Sequence, residues 1–225
     1  MSLSHCYNEN NTYEIGVDEA GRGPLFGRLY VAGAVLPKGG DFHHEWMKDS
    51  KRFHSKKKIS DVSDYIKENA LAWSIQYIEA DVIDQINIRQ AVHRGMHNAI
   101  REIFTEHKLA PCETFLLIDG NDFRPYTLFD ESTEEIITVA HETVEGGDNK
   151  FTSIAAASIL AKVARDEYIH DLCEQFPELD EKYNLNKNQG YGTKHHLQGI
   201  LEHGITQWHR KTYGRCKGSE LNVIT

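Results

Sequence analysis

The sequence predicts an α/β domain, on three observations. Short apolar runs of β type gather in the first half of the chain, stretches of helical period alternate with them, and about the last fifty residues turn helical. The 225 residues suit one domain with an appended segment, and 40% hydrophobic against 26% charged residues is the balance of a soluble chain with a core. In order, Ile15 and Val17 alternate with Gly16 and Asp18 as a half-buried strand requires. Leu29 to Leu36 is a second strand, stopped by Pro37 and the Lys38-Gly39-Gly40 turn. Ser55 to Asn69 reads as a helix, Leu71 to Ile78 as a third strand, and Ile88 to His107 as a helix capped by Asn87. Phe115 to Ile118 is a short strand that delivers Asp119 into a Gly120-Asn121 turn, and Ile136 to Val144 is a fifth, ended by Gly146-Gly147. A long helix from about Thr152 to Cys173, a loop around Pro177 and a helix from Thr193 to about His203 complete the pattern. Residues 1–175 are therefore expected to form the core and 176–225 a helical segment packed on it.

Composition narrows the function classes. No apolar run approaches the ~20 residues a bilayer span needs, and the start MSLSHCYNENN lacks the regions of a signal peptide, so no membrane is expected and an intracellular, cytoplasmic location is. Cys6, Cys112, Cys173 and Cys216 are scattered without a CxxC pair, which suggests neither a zinc site nor a disulfide framework. The net charge of −9 speaks against a nucleic-acid partner until its distribution is read. Asp130, Glu131, Glu134, Glu135, Glu142, Glu145 and Asp148 form an acidic stretch, whereas Lys48, Lys51, Arg52, Lys56, Lys57 and Lys58, and again Lys182 to Lys217, are basic. Such clusters are either phosphate contacts or solvated faces.

The stretch IGVDEAGRGP, Ile15 to Pro24, ends a strand in two adjacent carboxylates and a glycine-flanked arginine. Neighbouring carboxylates repel by ~4 kcal/mol at about 4 Å in an effective dielectric of about 20, so Asp18 and Glu19 call for a cation. Asp119 leaves the end of another apolar strand with glycine after it, and serves either as a turn former or as a ligand. Ser158, Lys162 and Asp166 recur at i, i+4 on the Ala-rich helix, so Asp166 either points inward or forms a surface pair with Lys162. The Gly146-Gly147-Asp148-Asn149-Lys150 run is either a nest for phosphate or a plain loop. Four acids from strand ends and a helix suit hard divalent ions such as Mg²⁺ or Mn²⁺. The pairs His43-His44 and His195-His196 diverge on a helix or strand and do not make a metal site.

With these residues in view the chain resembles the ribonuclease HII family, the type 2 ribonucleases H. GVDEAGRGP is followed in order by DSK at Asp49, IDGN at Ile118, GDNK at Gly147, SIAAASILAKVARD at Ser153, GYGTKHH at Gly190 and HRKTY at His209. The resemblance implies a ribonuclease H-like mixed β-sheet flanked by helices, with a C-terminal helical segment. It implies that Asp18, Glu19, Asp119 and Asp166 are the catalytic, metal-binding carboxylates, holding two ions in the substrate complex. Gly21, Arg22 and Gly23 are similar to the loop that recognises the ribonucleotide 2′-hydroxyl, and Tyr191 to the tyrosine that packs on the sugar at the RNA to DNA junction. Lys51, Lys150, Ser158, Lys162 and Lys194 are expected to contact phosphate or support the acids.

The implied reaction is hydrolysis of RNA in RNA·DNA hybrids and incision 5′ of single ribonucleotides in duplex DNA, leaving 3′-hydroxyl and 5′-phosphate ends, as in ribonucleotide excision repair and DNA replication. Phe26-Gly27-Arg28 stands where many members have Ala-Gly-Pro, and Arg52-Phe53-His54 where Lys-Leu-Ser is usual. The short leader and Asp166 separate the chain from the sister type HIII. The GYGTK run points to the single-chain form, so a monomer is expected, and no sliding-clamp motif is visible at the tail. The rival readings are a noncatalytic hybrid-binding module, which loss of an acid would favour, and a metal-dependent DNA nuclease, for which the GRG loop has no purpose.

Overall fold

A computed structural model describes residues 2–130 and 134–224. Met1, Glu131 and Thr225, which the expected segments and the acidic stretch include, lie outside the described residues. The chain runs through β1 (Tyr13–Ala20), β2 (Leu29–Val35), α1 (Lys56–Asn69), β3 (Ala72–Ile78), α2 (Ala80–Ile86), α3 (Ile88–His107) and β4 (Thr114–Asp119). A small hairpin of β5 (Thr127–Asp130) and β6 (Glu135–Thr138) precedes β7 (His141–Val144), and α4 (Thr152–Gln175), α5 (Glu178–Tyr183), α6 (Leu185–Asn188) and α7 (Lys194–His203) follow.

The five-stranded sheet has the order β3-β2-β1-β4-β7. β1 is antiparallel to β2 and β2 to β3, whereas β1 and β4, and β4 and β7, are parallel. This mixed, helix-flanked sheet is the ribonuclease H-like architecture that the resemblance implies. Side chains alternate across the sheet. Ile15, Val17, Val31 and Ile118 bury one face against Met96, Ile100 and Ile103 of α3. Ala32 and Ala34 bury the other against Ile66 of α1 and Ala155, Ala156 and Leu160 of α4. Residues 152–161 of α4 are buried all round, and the closest approach is at Gly16, where a Cβ would lie 2.2 Å from the Ser153 carbonyl carbon. Glycine is thus what lets the helix start against the central strand.

Several expected elements change. The expected strand over 136–144 is two strands: Ile136 belongs to the exposed hairpin and His141 to the main sheet, the chain switching sheets at buried Val139, whose N–H donates to the Tyr126 carbonyl at 3.0 Å. The expected loop around Pro177 is two short helices, α5 and α6, closed by Asn184 and Gln189 with φ of 55° and 52°. Isolated helices of that length are unstable in water, and these exist because Leu179, Tyr183 and Leu185 enter an apolar cluster with Phe26, Ile169 of α4 and Ile200 of α7. α2 has no counterpart among the expected elements; Ala80 and Ile83 bury its inner side.

Candidate active site

The parallel register sets β1 and β4 with their carboxyl ends side by side: Val17 pairs with Ile118, so Asp18 and Asp119 are the next residues on neighbouring strands. Asp18 is only 6% exposed, and its Oδ1 accepts from the Glu19 N–H at 2.7 Å. Burial, and then the charges of Glu19 and Asp119, push its carboxyl well above the usual range. Burial also raises Glu19, opposed by Arg22, whose Nη1 lies 3.4 Å from Glu19 Oε1. Asp119 Oδ1 accepts from the Gly147 N–H at 2.6 Å. Gly147 opens the turn 147–149, which carries Asp148 beside the other acids. Burial, and then the charges of Asp49 and Asp119, raise Asp148 as well.

A cavity of about 460 Å³ unites these groups, lined by Asp18, Glu19, Asp119 and Asp148 together with Gly21, Arg22, Gly23, Lys51, Ser158, Lys162 and Tyr191. A larger hollow of about 870 Å³ near Ser2, His44 and Arg52 lacks converging acids, so chemistry rather than size identifies the site. Lys150 and Lys194 are exposed and do not line the cavity.

Asp166 is not brought to this cavity. Its Oδ2 accepts from Lys162 Nζ, one turn back on α4, and it faces a separate hollow beside Lys56 and His170. The i, i+4 stripe accounts for the difference: each step of four residues overshoots a 3.6-residue turn by about 40°, so Asp166 stands about 80° round from Ser158 and about 12 Å further along the axis. Ser158 and Lys162 reach the cavity and Asp166 has rotated past it. The fourth carboxylate in this cavity is Asp148 rather than Asp166, and its signals in the sequence were the GDNK motif and the glycines before it.

The Gly21–Gly23 loop forms one rim. Gly21 has φ +96°, and a Cβ there would lie 2.3 Å from Arg165 Nε, so both backbone and space require glycine. Two buried arginines lie beneath the rim, Arg210 bonded to the loop itself and Arg165 packed against Gly21. Arg165 donates to the carbonyls of Phe26 at 3.1 Å and Gln189 at 2.9 Å, and Arg210 donates to those of Gly21 at 2.7 Å and Arg22 at 3.1 Å. Neither forms an ion pair among the described residues. Burial pushes Arg210 down to about 10, still a cation at neutral pH. Sequence reasoning missed both, because nothing in a charged residue's identity announces that it will be buried. Tyr191 lines the cavity beside the loop, half exposed, and a Cβ at Gly23 would lie 3.6 Å from its Cε1.

Among the described residues, no three Asp, Glu, His or Cys side chains converge as a closed ligand set. What fits a hard divalent cation is donor chemistry: carboxylates at the mouth of a cleft, with Asp18, Glu19 and Asp148 all raised by burial and by the charge of Asp119.

A family model described as ribonuclease HII matches residues 15–216. The chain is 40% identical over 217 residues to ribonuclease HII of Bacteroides thetaiotaomicron, covering 96% of this chain and 97% of the relative. Among solved structures it is similar to ribonuclease H2 from Pyrococcus horikoshii OT3, with a TM-score of 0.71 at 19% identity over 92% of this chain and 96% of that one. It is also similar to Bst-RNase HIII in complex with Mn²⁺, with a TM-score of 0.61 at 16% identity over 92% of this chain and 69% of that one. At such identities the structural likeness speaks for the fold alone. No helix is long and apolar enough to cross a membrane among the described residues.

Proposed function

The chain belongs to the ribonuclease HII family and is a ribonuclease H, a divalent-metal-dependent endoribonuclease of RNA·DNA hybrids; from that premise we propose that it also incises duplex DNA 5′ of a single embedded ribonucleotide. The observation that carries the proposal is one cavity in which four carboxylates face the Gly21–Gly23 loop and Tyr191.

Asp18, Glu19, Asp119 and Asp148 are the residues that would hold two Mg²⁺ or Mn²⁺ ions. When bound, such ions supply an activated water and charge neutralisation at the scissile phosphate and departing oxygen. The protein's own groups do the rest. Gly147 orients Asp119 through its N–H, and Arg22 restrains Glu19. Lys51 and Lys162 line the cavity as phosphate-attracting cations, and contacts of that kind fix register without reading sequence. The Gly21–Gly23 peptides, on the rim of the cavity, would distinguish a 2′-hydroxyl from hydrogen, and Tyr191 would offer a flat face to the adjoining sugar. Hydrolysis with 3′-hydroxyl and 5′-phosphate products follows from attack of water on the 5′ side of the ribonucleotide, in line with the departing 3′ oxygen. The substrate partners are thus hybrid and ribonucleotide-containing duplexes, engaged by a monomer without a sliding-clamp motif, in the cytoplasm.

Substitution separates the acids. Asp119→Asn and Asp148→Asn are each expected to lower Mn²⁺-dependent cleavage of an RNA·DNA hybrid by about 10²-fold or more, as loss of an ion-holding carboxylate does. Asp166→Asn is expected to retain at least about half the rate, the surface pair with Lys162 being worth only a few tenths of a kcal/mol. A dead Asp166→Asn beside an active Asp148→Asn would reverse the assignment.

A further inference from the structure

One turn of the C-terminal tail touches both sides of the ribonucleotide-facing rim. Arg210 has no exposed surface, and its guanidinium donates Nη2 to the Gly21 carbonyl at 2.7 Å, Nη1 to Arg22 at 3.1 Å and Nε to Gly27 at 3.0 Å. A trans peptide sets its C=O and N–H on opposite sides. With the Gly21 and Arg22 carbonyls drawn to Arg210, the N–H groups of Arg22 and Gly23 face away from it.

The preceding residue, His209, is 1% exposed and starts a second chain of bonds. Its Nδ1 accepts from the Thr206 N–H at 2.9 Å, so the ring proton sits on Nε2. That Nε2 lies 3.0 Å from Nε2 of His196, itself without exposed surface, which must therefore accept. His196 then carries its proton on Nδ1 and donates it to the Tyr191 carbonyl at 3.0 Å. One tautomer is fixed in each ring, and burial keeps both neutral by pushing their pKa values down.

We propose that the His209-Arg210 dipeptide is a single brace that sets the two sides of the reader against each other: Arg210 aims the Gly21–Gly23 peptides, and His209, through His196, fixes the backbone of Tyr191. Both are positioning residues and neither touches substrate. The inference rests on the reading of the loop and Tyr191 as the ribonucleotide reader. The tail thereby carries a specificity function from a site outside the cavity, since neither His196, His209 nor Arg210 lines it.

The test compares two substitutions of one buried ring in the full-length chain with Mn²⁺, on duplex DNA carrying one ribonucleotide and on a long hybrid. His196→Asn keeps an amide nitrogen near Nδ1 that can donate to the Tyr191 carbonyl, whereas His196→Gln puts its amide near Nε2, where its Oε1 can accept from His209 and nothing reaches Tyr191. His196→Gln is expected to raise KM for the single-ribonucleotide duplex about tenfold with kcat within about twofold, the factor expected of one lost positioning bond, and His196→Asn to stay within about threefold of wild type. A purely structural role would damage both variants alike, since both lose the imidazole. Arg210→Lys keeps the charge but lacks the planar fork that reaches the Gly21, Arg22 and Gly27 carbonyls together, and is expected to raise KM by a similar factor; it decides the matter where a His196 variant does not fold. Equal KM values for the two His196 variants, or an Arg210→Lys KM like wild type, overturn the proposal. A wild-type chain that cuts the hybrid but ignores the single ribonucleotide would instead defeat the reading beneath it, and the His196 comparison on the hybrid would still test the brace.

Discussion

The carboxyl of Asp18 is buried beside two others of its kind, and that conflict serves the chemistry at the expense of stability. Folding raises its pKa above the unfolded value near 3.8, so the folded state favours the protonated form. The charged form therefore costs stability, and the cost grows as pH rises through the folded pKa. In chelator at pH 8, Asp18→Asn is expected to melt about 2–4 °C above wild type, the shift that about 1 kcal/mol produces at this chain length. Added Mn²⁺ is expected to raise the wild-type Tm more than that of the variant. A lower Tm for the variant in chelator, read by calorimetry, would contradict this account. At this scale the sequence was only partly legible. Asp18, Glu19 and Asp119 stand out because each leaves a strand end with glycine close behind. Asp166 reads as facing the cavity but does not line it, because a stripe of i, i+4 positions looks straight in sequence and drifts on the helix. Asp148 was hidden in a turn whose Gly and Asn neighbours are explained by the turn itself. The buried roles of Arg165, Arg210, His196 and His209 are outcomes of tertiary packing, with no local periodicity to reveal them.

Among elements, α4 does the most to position the site. Its N-terminal half is buried all round, contributes Ser158 and Lys162 to the cavity, and begins against β1 at Gly16. A Cβ at Gly16 meets backbone rather than a flexible side chain, so the helix must move. Gly16→Ala is expected to cost about 3 kcal/mol or more, the upper end of overpacking costs, read as a lower urea midpoint; a cost under about 1 kcal/mol would show that the helix can shift freely. The long elements were legible because periodicity accumulates over many residues: α3 begins at the cap expected, Asn87, whose side chain accepts from Gln90, and α1 begins one residue after its expected start, Ser55, which caps it by accepting from Lys58. α2, α5 and α6 are too short for a period to register, and the β5–β6 hairpin exposes Phe129 and Ile136, so its apolar pattern imitates a core strand.

For the whole molecule, a net charge of −9 conceals a site built for a polyanion. The acids that dominate the sum include the four proposed to hold metal ions, while Lys51, Lys162 and the buried cations Arg165 and Arg210 surround or underlie the same cavity. The sheet sets Asp18, Glu19 and Asp119, the turn after β7 adds Asp148, the Gly21–Gly23 loop forms the rim, and the C-terminal tail reaches back to that rim, so the proposed hydrolysis and selection share one cavity. The central claim is that this cavity cuts where it finds a ribonucleotide. Its most direct test is a nucleotide-resolution map of the products when the wild-type chain and Mn²⁺ act on duplex DNA with one embedded ribonucleotide, beside an all-DNA duplex of the same sequence. The expected result is one break, immediately 5′ of the ribonucleotide, with a 3′-hydroxyl that a polymerase extends, and an intact all-DNA control. Breaks distributed along the strand, or equal cutting of the all-DNA duplex, would contradict it.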